Sequence, residues 1–309
     1  MSNILTAEPG PKALRGILPV IPTLFTVDDR IDQEAQKQVV EFAIQQGASA
    51  VVCPAVASEY NFLSLDERKT LVALVSGQVN GRVPIIGGAS ANTVNDVVAA
   101  AHDCQEFGIT TLMIMAPRVL GPDIEKQVTF FSEICNQLGD DARVLLQNAP
   151  EPVGAGLGVE DMVHLVKSNP KIQYVKEETL PSGPAITALN QCGIAHLEGV
   201  IGGGGSRYLI DELNRGAVAA MPAVELIDLH VAIFNAHTDG NHDLARQLYR
   251  DSLPLLVSQL IYRMRLTKYV LHRRGISNDR VVRAPLPEMD EYTLRDIDRM
   301  LEDLQETLA

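Results

Sequence analysis

The sequence predicts a (β/α)8 barrel, the TIM fold, followed by a C-terminal helical extension. Short apolar runs alternate with longer stretches of helical period, the pattern of repeated β-α units around a parallel sheet. Eight such runs can be counted before the alternation stops, and beyond about residue 239 no strand-like run remains. Eight units closing on themselves make the barrel.

The strand-like runs are Ile17–Phe25, Ala48–Ala55, Val83–Ala89, Thr110–Pro117, Arg143–Ala149, Ile172–Glu177, Ala195–Val200 and Ala217–Ala223. Helices fall between them, punctuated by capping chemistry. Asp32 precedes the first and Gly47 follows it, and Ser64 with Glu67 has the spacing of a capping box. Gly108 and Gly139 close two later helices. Ile124, Phe131, Ile134 and Leu138 fall on one stripe, as a helix covering a barrel requires. These units divide the chain into a barrel over 1–237 and a helical extension over 238–309. In the extension, Leu244 to Arg273 reads as one or two helices, and Leu294, Ile297, Leu301 and Leu304 mark an amphipathic last helix, packed on the barrel or on another subunit.

At 309 residues with 46% hydrophobic and 21% charged residues, the chain has ample material for a large core. A net charge of −13 opposes binding to nucleic acid or anionic lipid, because phosphate contacts need clustered Lys and Arg. No run approaches the roughly 18 apolar residues of a membrane span. Cys53, Cys104, Cys135 and Cys192 form no C-x-x-C pair and read as core thiols. Met1 to Pro11 lacks the apolar stretch of a secretory signal, so a cytoplasmic protein is expected.

A barrel carries its chemistry at the carboxyl ends of its strands, where Lys176 stands. Other lysines, among them Lys37, Lys69, Lys126, Lys167 and Lys268, lie in polar or helical stretches, whereas Ile172, Tyr174 and Val175 predict burial around Lys176. A buried lysine loses solvation of its charged form, which favours the free amine that attacks a ketone. Position alone is equally compatible with a plain salt bridge to Glu177 or Glu178.

Four segments occur in an ordered set: Gly16-Ile-Leu-Pro-Val-Ile-Pro-Thr-Leu-Phe25, Ser58-Glu59 followed by Leu65-Asp66-Glu67-Arg68, Asn148-x-Pro150, and Tyr174-Val175-Lys176-Glu177-Glu178. In that order they resemble the dihydrodipicolinate synthase/N-acetylneuraminate lyase superfamily over nearly the whole chain. The resemblance implies a barrel, often tetrameric or otherwise homo-oligomeric, whose strand-six lysine forms an imine with a small 2-keto acid. It makes that lysine Lys176 and implies no cofactor beyond the covalent Schiff base.

Several positions depart from the family pattern. Where members carry G-T-x-G-E after strand two, this chain has Ala55-Val56-Ala57-Ser58-Glu59, leaving Ser58 and backbone N–H groups to hold a carboxylate. The relay tyrosine after strand five is replaced by Gln147, whose amide cannot titrate. Arg118 and Val119 stand where a tyrosine pair is usual, and the arginine of the lysine-pathway synthase would fall near Pro152. Gln147, Asn148, Ala149, Pro150 and Glu178, with Ser58-Glu59, resemble the 2-keto-3-deoxy-L-arabonate dehydratases within the superfamily.

The resemblance therefore implies a dehydratase of a 2-keto-3-deoxy sugar acid. Lys176 forms the imine, Glu178 or a water it orients moves the C3 proton, and Ser58, Glu59, Gln147 and Gly203 contact substrate, while Arg118 reads equally as a contact to the distal end of a sugar acid or as a loop arginine. An aldolase releasing pyruvate, or a non-catalytic keto-acid-binding protein, are the alternatives. The Gly202–Gly205 run reads as a tight turn near the substrate or as a phosphate cradle. The seven histidines show neither H-x-H nor H-E-x-x-H spacing, so no metal site is expected, and no G-x-G-x-x-G follows the first strand.

Overall fold

The computed structural model describes residues 13–308, with side chains to Leu304; Lys12, the Met1–Pro11 segment and the start of the expected 1–237 unit lie outside the described residues. Eight parallel strands form the sheet: β1 (Gly16–Ile17), β2 (Val51–Cys53), β3 (Ile85–Gly88), β4 (Thr111–Met115), β5 (Arg143–Asn148), β6 (Ile172–Glu177), β7 (Gly199–Gly202) and β8 (Ala219–Ala220). From β2 to β8 each strand pairs with the next in sequence, and β1 pairs with β8. The remaining seam, between β1 and β2, is joined by a Val20–Val52 bridge and by N–H···O bonds from Ile21 to Val52 and from Val52 to Pro19, both 3.0 Å. The expected (β/α)8 architecture is present.

Helices α1 (Gln33–Gln45), α2 (Leu65–Val79), α3 (Val94–Gln105), α4 (Ile124–Gln137), α5 (Val159–Ser168), α6 (Ser182–Gln191), α7 (Leu209–Asn214) and α8 (Ile227–Thr238) follow their strands. The caps work as read from the sequence. Asp32 accepts from the Ala35 amide at 3.0 Å, and Ser64 and Glu67 exchange bonds of 2.9 and 3.2 Å.

Several strands differ in extent from the apolar runs, and β2 keeps only Val51–Cys53 of Ala48–Ala55. Ladder pairing of β1 stops at Ile17 because Pro19 and Pro22 lack an N–H, although the chain runs on extended, with Leu18 and Val20 donating to Ala220 and Pro222. Pro222 ends β8 in the same way. The seventh strand lies at Gly199–Gly202, not Ala195–Val200. Its glycines carry no strand propensity, yet a Cβ at Gly199 would collide with Val218 and one at Gly202 with Glu212, so close packing selects them.

Strand periodicity sorts the side chains into layers. Leu18, Val52, Ile86, Met113, Leu145, Tyr174, Ile201 and Ala219 fill the barrel interior. Neighbouring residues such as Leu112, Leu146, Val175 and Val200 face the surrounding helices. The floor is closed by Tyr174, whose hydroxyl donates to Glu198 at 2.5 Å, while Glu198 also pairs with Arg143.

Beyond α8 come α9 (His242–Tyr262), α10 (Met264–Arg273) and α11 (Glu291–Leu308). Leu255, Leu256, Leu266, Val270, Ile297 and Leu304 join Val39, Val224 and Ile233 in a single buried cluster, so these helices share the barrel's own core. Among the described residues no helix is long and apolar enough to cross a membrane. The four cysteines are free thiols; Cys53, Cys104 and Cys135 are buried, and burial pushes Cys104 up to about 12 and Cys135 to about 11.

Because Ile297 is 1% exposed, truncating Ile297→Ala should cost about 2–5 kcal/mol in urea denaturation. Leu301→Ala, on the half-buried flank of the same helix, should cost clearly less; equal losses would mean that α11 is not seated by its Ile297 face.

Candidate active site

The alternation that turns Tyr174 into the barrel turns Lys176 inward two residues later, at the carboxyl end of β6, and places Glu178 on the same side beyond the strand. Lys176 is 5% exposed, and its Nζ lies 3.0 Å from Glu178 Oε1. Of the two carboxylates offered by the sequence, the partner is therefore Glu178. Glu177, of opposite parity, faces outward. It accepts from Asn148 Nδ2 at 2.9 Å and from the Thr179 amide at 2.6 Å, with the Thr179 hydroxyl also on it. Burial raises its pKa from the ordinary value.

Gln147 sits beside Lys176 in the β5–β6 register, and its Nε2 donates to Glu178 Oε2 at 2.6 Å. The Gly204 amide donates to Glu178 Oε1 at 3.3 Å. Burial acts to raise the Glu178 pKa, but the Lys176 charge and the bonds from Gln147, Lys176 and Gly204 outweigh it. The net pKa lies below the ordinary value, so Glu178 is an anion at neutral pH.

Gly203 is buried against this carboxylate, and a Cβ there would strike Glu178 Cγ. The glycine run is thus a tight turn that makes room for Glu178 and donates to it. Behind β7, Glu212 of α7 is buried, with Oε1 accepting from Ser182 Oγ at 2.9 Å and Oε2 without a partner among the described residues. Burial pushes its pKa up to about 7.

Two residues expected to contact substrate are engaged elsewhere. Ser58 Oγ donates to the Ile21 carbonyl at 2.5 Å and accepts from the Ala55 amide at 3.0 Å, so it braces the turn after β2. Glu59, at φ 58, accepts from Lys268 Nζ at 2.5 Å through Oε1 and from the Arg283 and Ala284 amides at 2.8 and 2.7 Å through Oε2. Its carboxylate, engaged through both oxygens, ties the extension to that turn. Arg118 is exposed on a short turn after β4; its carbonyl accepts from the Gly121 amide at 2.9 Å, and among the described residues its guanidinium makes no hydrogen bond or ion pair.

Lys268 is the residue that sequence reasoning missed. It is more completely buried than Lys176, and burial lowers its pKa to about 8. The signal was local: Lys268 is flanked in α10 by Leu266, Tyr269, Val270 and Leu271, and a lysine buried among them needs a charged partner.

A model of the dihydrodipicolinate synthetase family matches residues 13–304. The chain belongs to this family. Membership makes it a lyase of this family. The chain is 29% identical over 287 residues to an L-2-keto-3-deoxyarabonate dehydratase of Azospirillum brasilense, covering 90% of this chain and 91% of that protein. It is 27% identical over 294 residues to a 4-hydroxy-tetrahydrodipicolinate synthase of Bartonella quintana, covering 93% and 97%. The crystal structure of dihydrodipicolinate synthase from Rhodopseudomonas palustris shares the fold, with a TM-score of 0.86 at 24% identity over 94% of this chain and 97% of that one. Among the described residues no group of three or more His, Cys, Asp and Glu could hold a metal ion.

Two stability measurements probe these buried groups. Lys268→Ala leaves Glu59 without its ammonium and should cost about 3–5 kcal/mol, a loss that the double variant Glu59→Gln/Lys268→Met partly restores. Glu212 has a folded pKa of about 7, above the unfolded value near 4.5, so the folded state holds the extra proton. Its contribution is complete below pH 4.5 and is lost as pH rises through 7. Glu212→Gln should flatten that decline in a urea series from pH 4.5 to 8; an unchanged slope would mean that Glu212 titrates normally.

Proposed function

We propose that this family member is a Schiff-base-forming dehydratase of a 2-keto-3-deoxy sugar acid. The observation that carries the reading is the buried Lys176–Glu178 pair at 3.0 Å, with Gln147 on the second carboxylate oxygen at the strand-five position where the superfamily usually has a tyrosine. The similarity to an L-2-keto-3-deoxyarabonate dehydratase supports the same reaction type.

Lys176, once it has passed its proton to Glu178 or to solvent, attacks the C2 ketone, and loss of water leaves a protonated imine. The iminium acidifies the C3 hydrogens, and Glu178 removes one to give the enamine. The enamine electrons expel the C4 hydroxyl, which departs as water with the proton that Glu178 returns. A proton lost from C5 and returned at C3 turns the new C3–C4 double bond into a C4–C5 enol, which ketonises to the aldehyde, and hydrolysis of the imine then frees Lys176 and the keto-acid semialdehyde. No electron leaves the system, so the reading invokes no redox cofactor. Gln147 holds Glu178 in place, and Gly203 and Gly204 bring the β7 backbone up to it.

Borohydride reduction in the presence of a 2-keto acid, followed by peptide mapping, should leave a covalent adduct on Lys176 and none in Lys176→Arg. Glu178→Gln should keep the adduct while slowing turnover by about 10²–10⁴-fold. The expected product is a semialdehyde formed without pyruvate. Pyruvate would instead mark aldol cleavage, and an adduct without turnover of any 2-keto-3-deoxy acid would mark a binding protein.

A further inference from the structure

Strand β7 ends in two residues without side chains, and a carboxyl group rests on either side of them. Gly202 points toward the helices, where a Cβ would fall 2.0 Å from Glu212 Oε2. Gly203, of opposite parity, points into the barrel, where a Cβ would fall 2.2 Å from Glu178 Cγ. Gly204 then gives its amide to Glu178 Oε1 at 3.3 Å. The turn is therefore clamped between the two carboxyl groups, and the place of its donor depends on both.

The surroundings of Glu212 suit a neutral acid. The residue is 1% exposed, Oε1 takes a hydrogen bond from Ser182 at the start of α6, and Oε2 has none among the described residues. The groups that face it offer no counter-ion. Asp211 on its own helix is paired with Arg215 at 3.0 Å, and β6 with its end presents Glu177 and Glu178, the first of them in register with Gly202. From α9 comes Tyr249, with Arg246 nearby and its hydroxyl committed to the Arg207 carbonyl. An anion at Glu212 would be desolvated, short of a donor on Oε2 and repelled by Glu178 across the glycines. It relieves that cost by moving toward water, away from Gly202, and the turn it backs is then free to draw the Gly204 amide off Glu178.

We propose that Glu212 is a positioning residue of the active site: as a neutral acid it backs the Gly202–Gly204 turn and keeps the Gly204 amide on Glu178, and its ionisation releases that donor. This inference rests on Glu178 acting as the base beside the Lys176 imine.

Exchange of the C3 hydrogens of pyruvate for deuterium, followed by NMR, reports imine formation at Lys176 and proton removal by Glu178 without the full substrate. Wild-type Glu212 is neutral at low pH and ionises as pH rises through about 7, whereas glutamine stays neutral. The ratio of the Glu212→Gln kcat to the wild-type kcat should therefore climb about tenfold between about pH 5.5 and about pH 8.5, with KM little changed, the effect of one hydrogen bond to a charged group. Ser182→Ala removes the bond that favours the anion and should move the wild-type loss to higher pH, which decides the matter where Glu212→Gln does not fold. A residue with a structural role alone would lower Tm and leave the ratio flat. A flat ratio, or a loss that Ser182→Ala leaves in place, would overturn the assignment. Lys176→Arg and Glu178→Gln separate the two failures. Exchange that needs both residues but shows no Glu212-dependent trend removes this inference alone, whereas wild-type exchange that is absent, or that persists in either variant, removes the base reading and this inference with it.

Discussion

The constraint on which the site depends is the buried charge of Glu178. A carboxylate at a barrel mouth away from bulk water is stable only if its oxygens are paired, and three donors meet that need. Lys176 and the Gly204 amide hold one oxygen, and Gln147 holds the other. Each donor comes from a different strand or its loop, so β5, β6 and β7 converge at their carboxyl ends. The glycines after β7 follow from the same demand, because any side chain at Gly203 would displace the carboxylate. The identity of four neighbouring positions thus traces back to one anion.

A second buried anion organises the opposite rim. Glu59 takes the Lys268 ammonium and two backbone amides from the segment before α11, and thereby joins the turn after β2 to the extension. The neighbouring Arg283 reaches Glu67 and Asp29 and so reinforces the seam. Removing two charges from water costs much of what their attraction returns, so the pair contributes geometry more than net stability. What it fixes is the backbone of the Ala55–Ser58 turn, already braced by Ser58. In this chain, the missing threonine hydroxyls of the family motif are accompanied by a turn whose polar side chains are spent on structure.

The architecture was legible because its signals are redundant. Eight apolar runs, two working caps and an amphipathic last helix each repeat the same message, and errors were confined to places where proline or glycine override apolar pattern, as in β1, β7 and β8. Lys176 and Glu178 could be picked out because strand parity puts residues 174, 176 and 178 on one side. Glu59 and Ser58 could not be placed, since a motif states which residues are present but not which way a three-residue turn aims them. The Lys268 partnership spans 209 positions, and no local pattern encodes so distant a contact.

The absence of a tyrosine relay takes on a physical meaning beside the Lys176–Glu178 pair. Two opposed influences act on Glu178: burial favours its protonated form, and the positive charge of Lys176 favours the anion. In the proposed reaction the protonated imine keeps that positive charge, so Glu178 is still an anion when a base is required at C3. Formation of the enamine abolishes the charge. Burial is then unopposed, the proton Glu178 has just taken is held as a neutral carboxylic acid, and that is the form needed when the C4 hydroxyl leaves. Expulsion of the hydroxyl regenerates the iminium charge and returns Glu178 to the anion. A base and an acid are required in succession, and the alternating charge on the nitrogen supplies both from one carboxyl group. Gln147 fits such a site better than a titrating phenol, because it orients Glu178 throughout the cycle without competing for the proton.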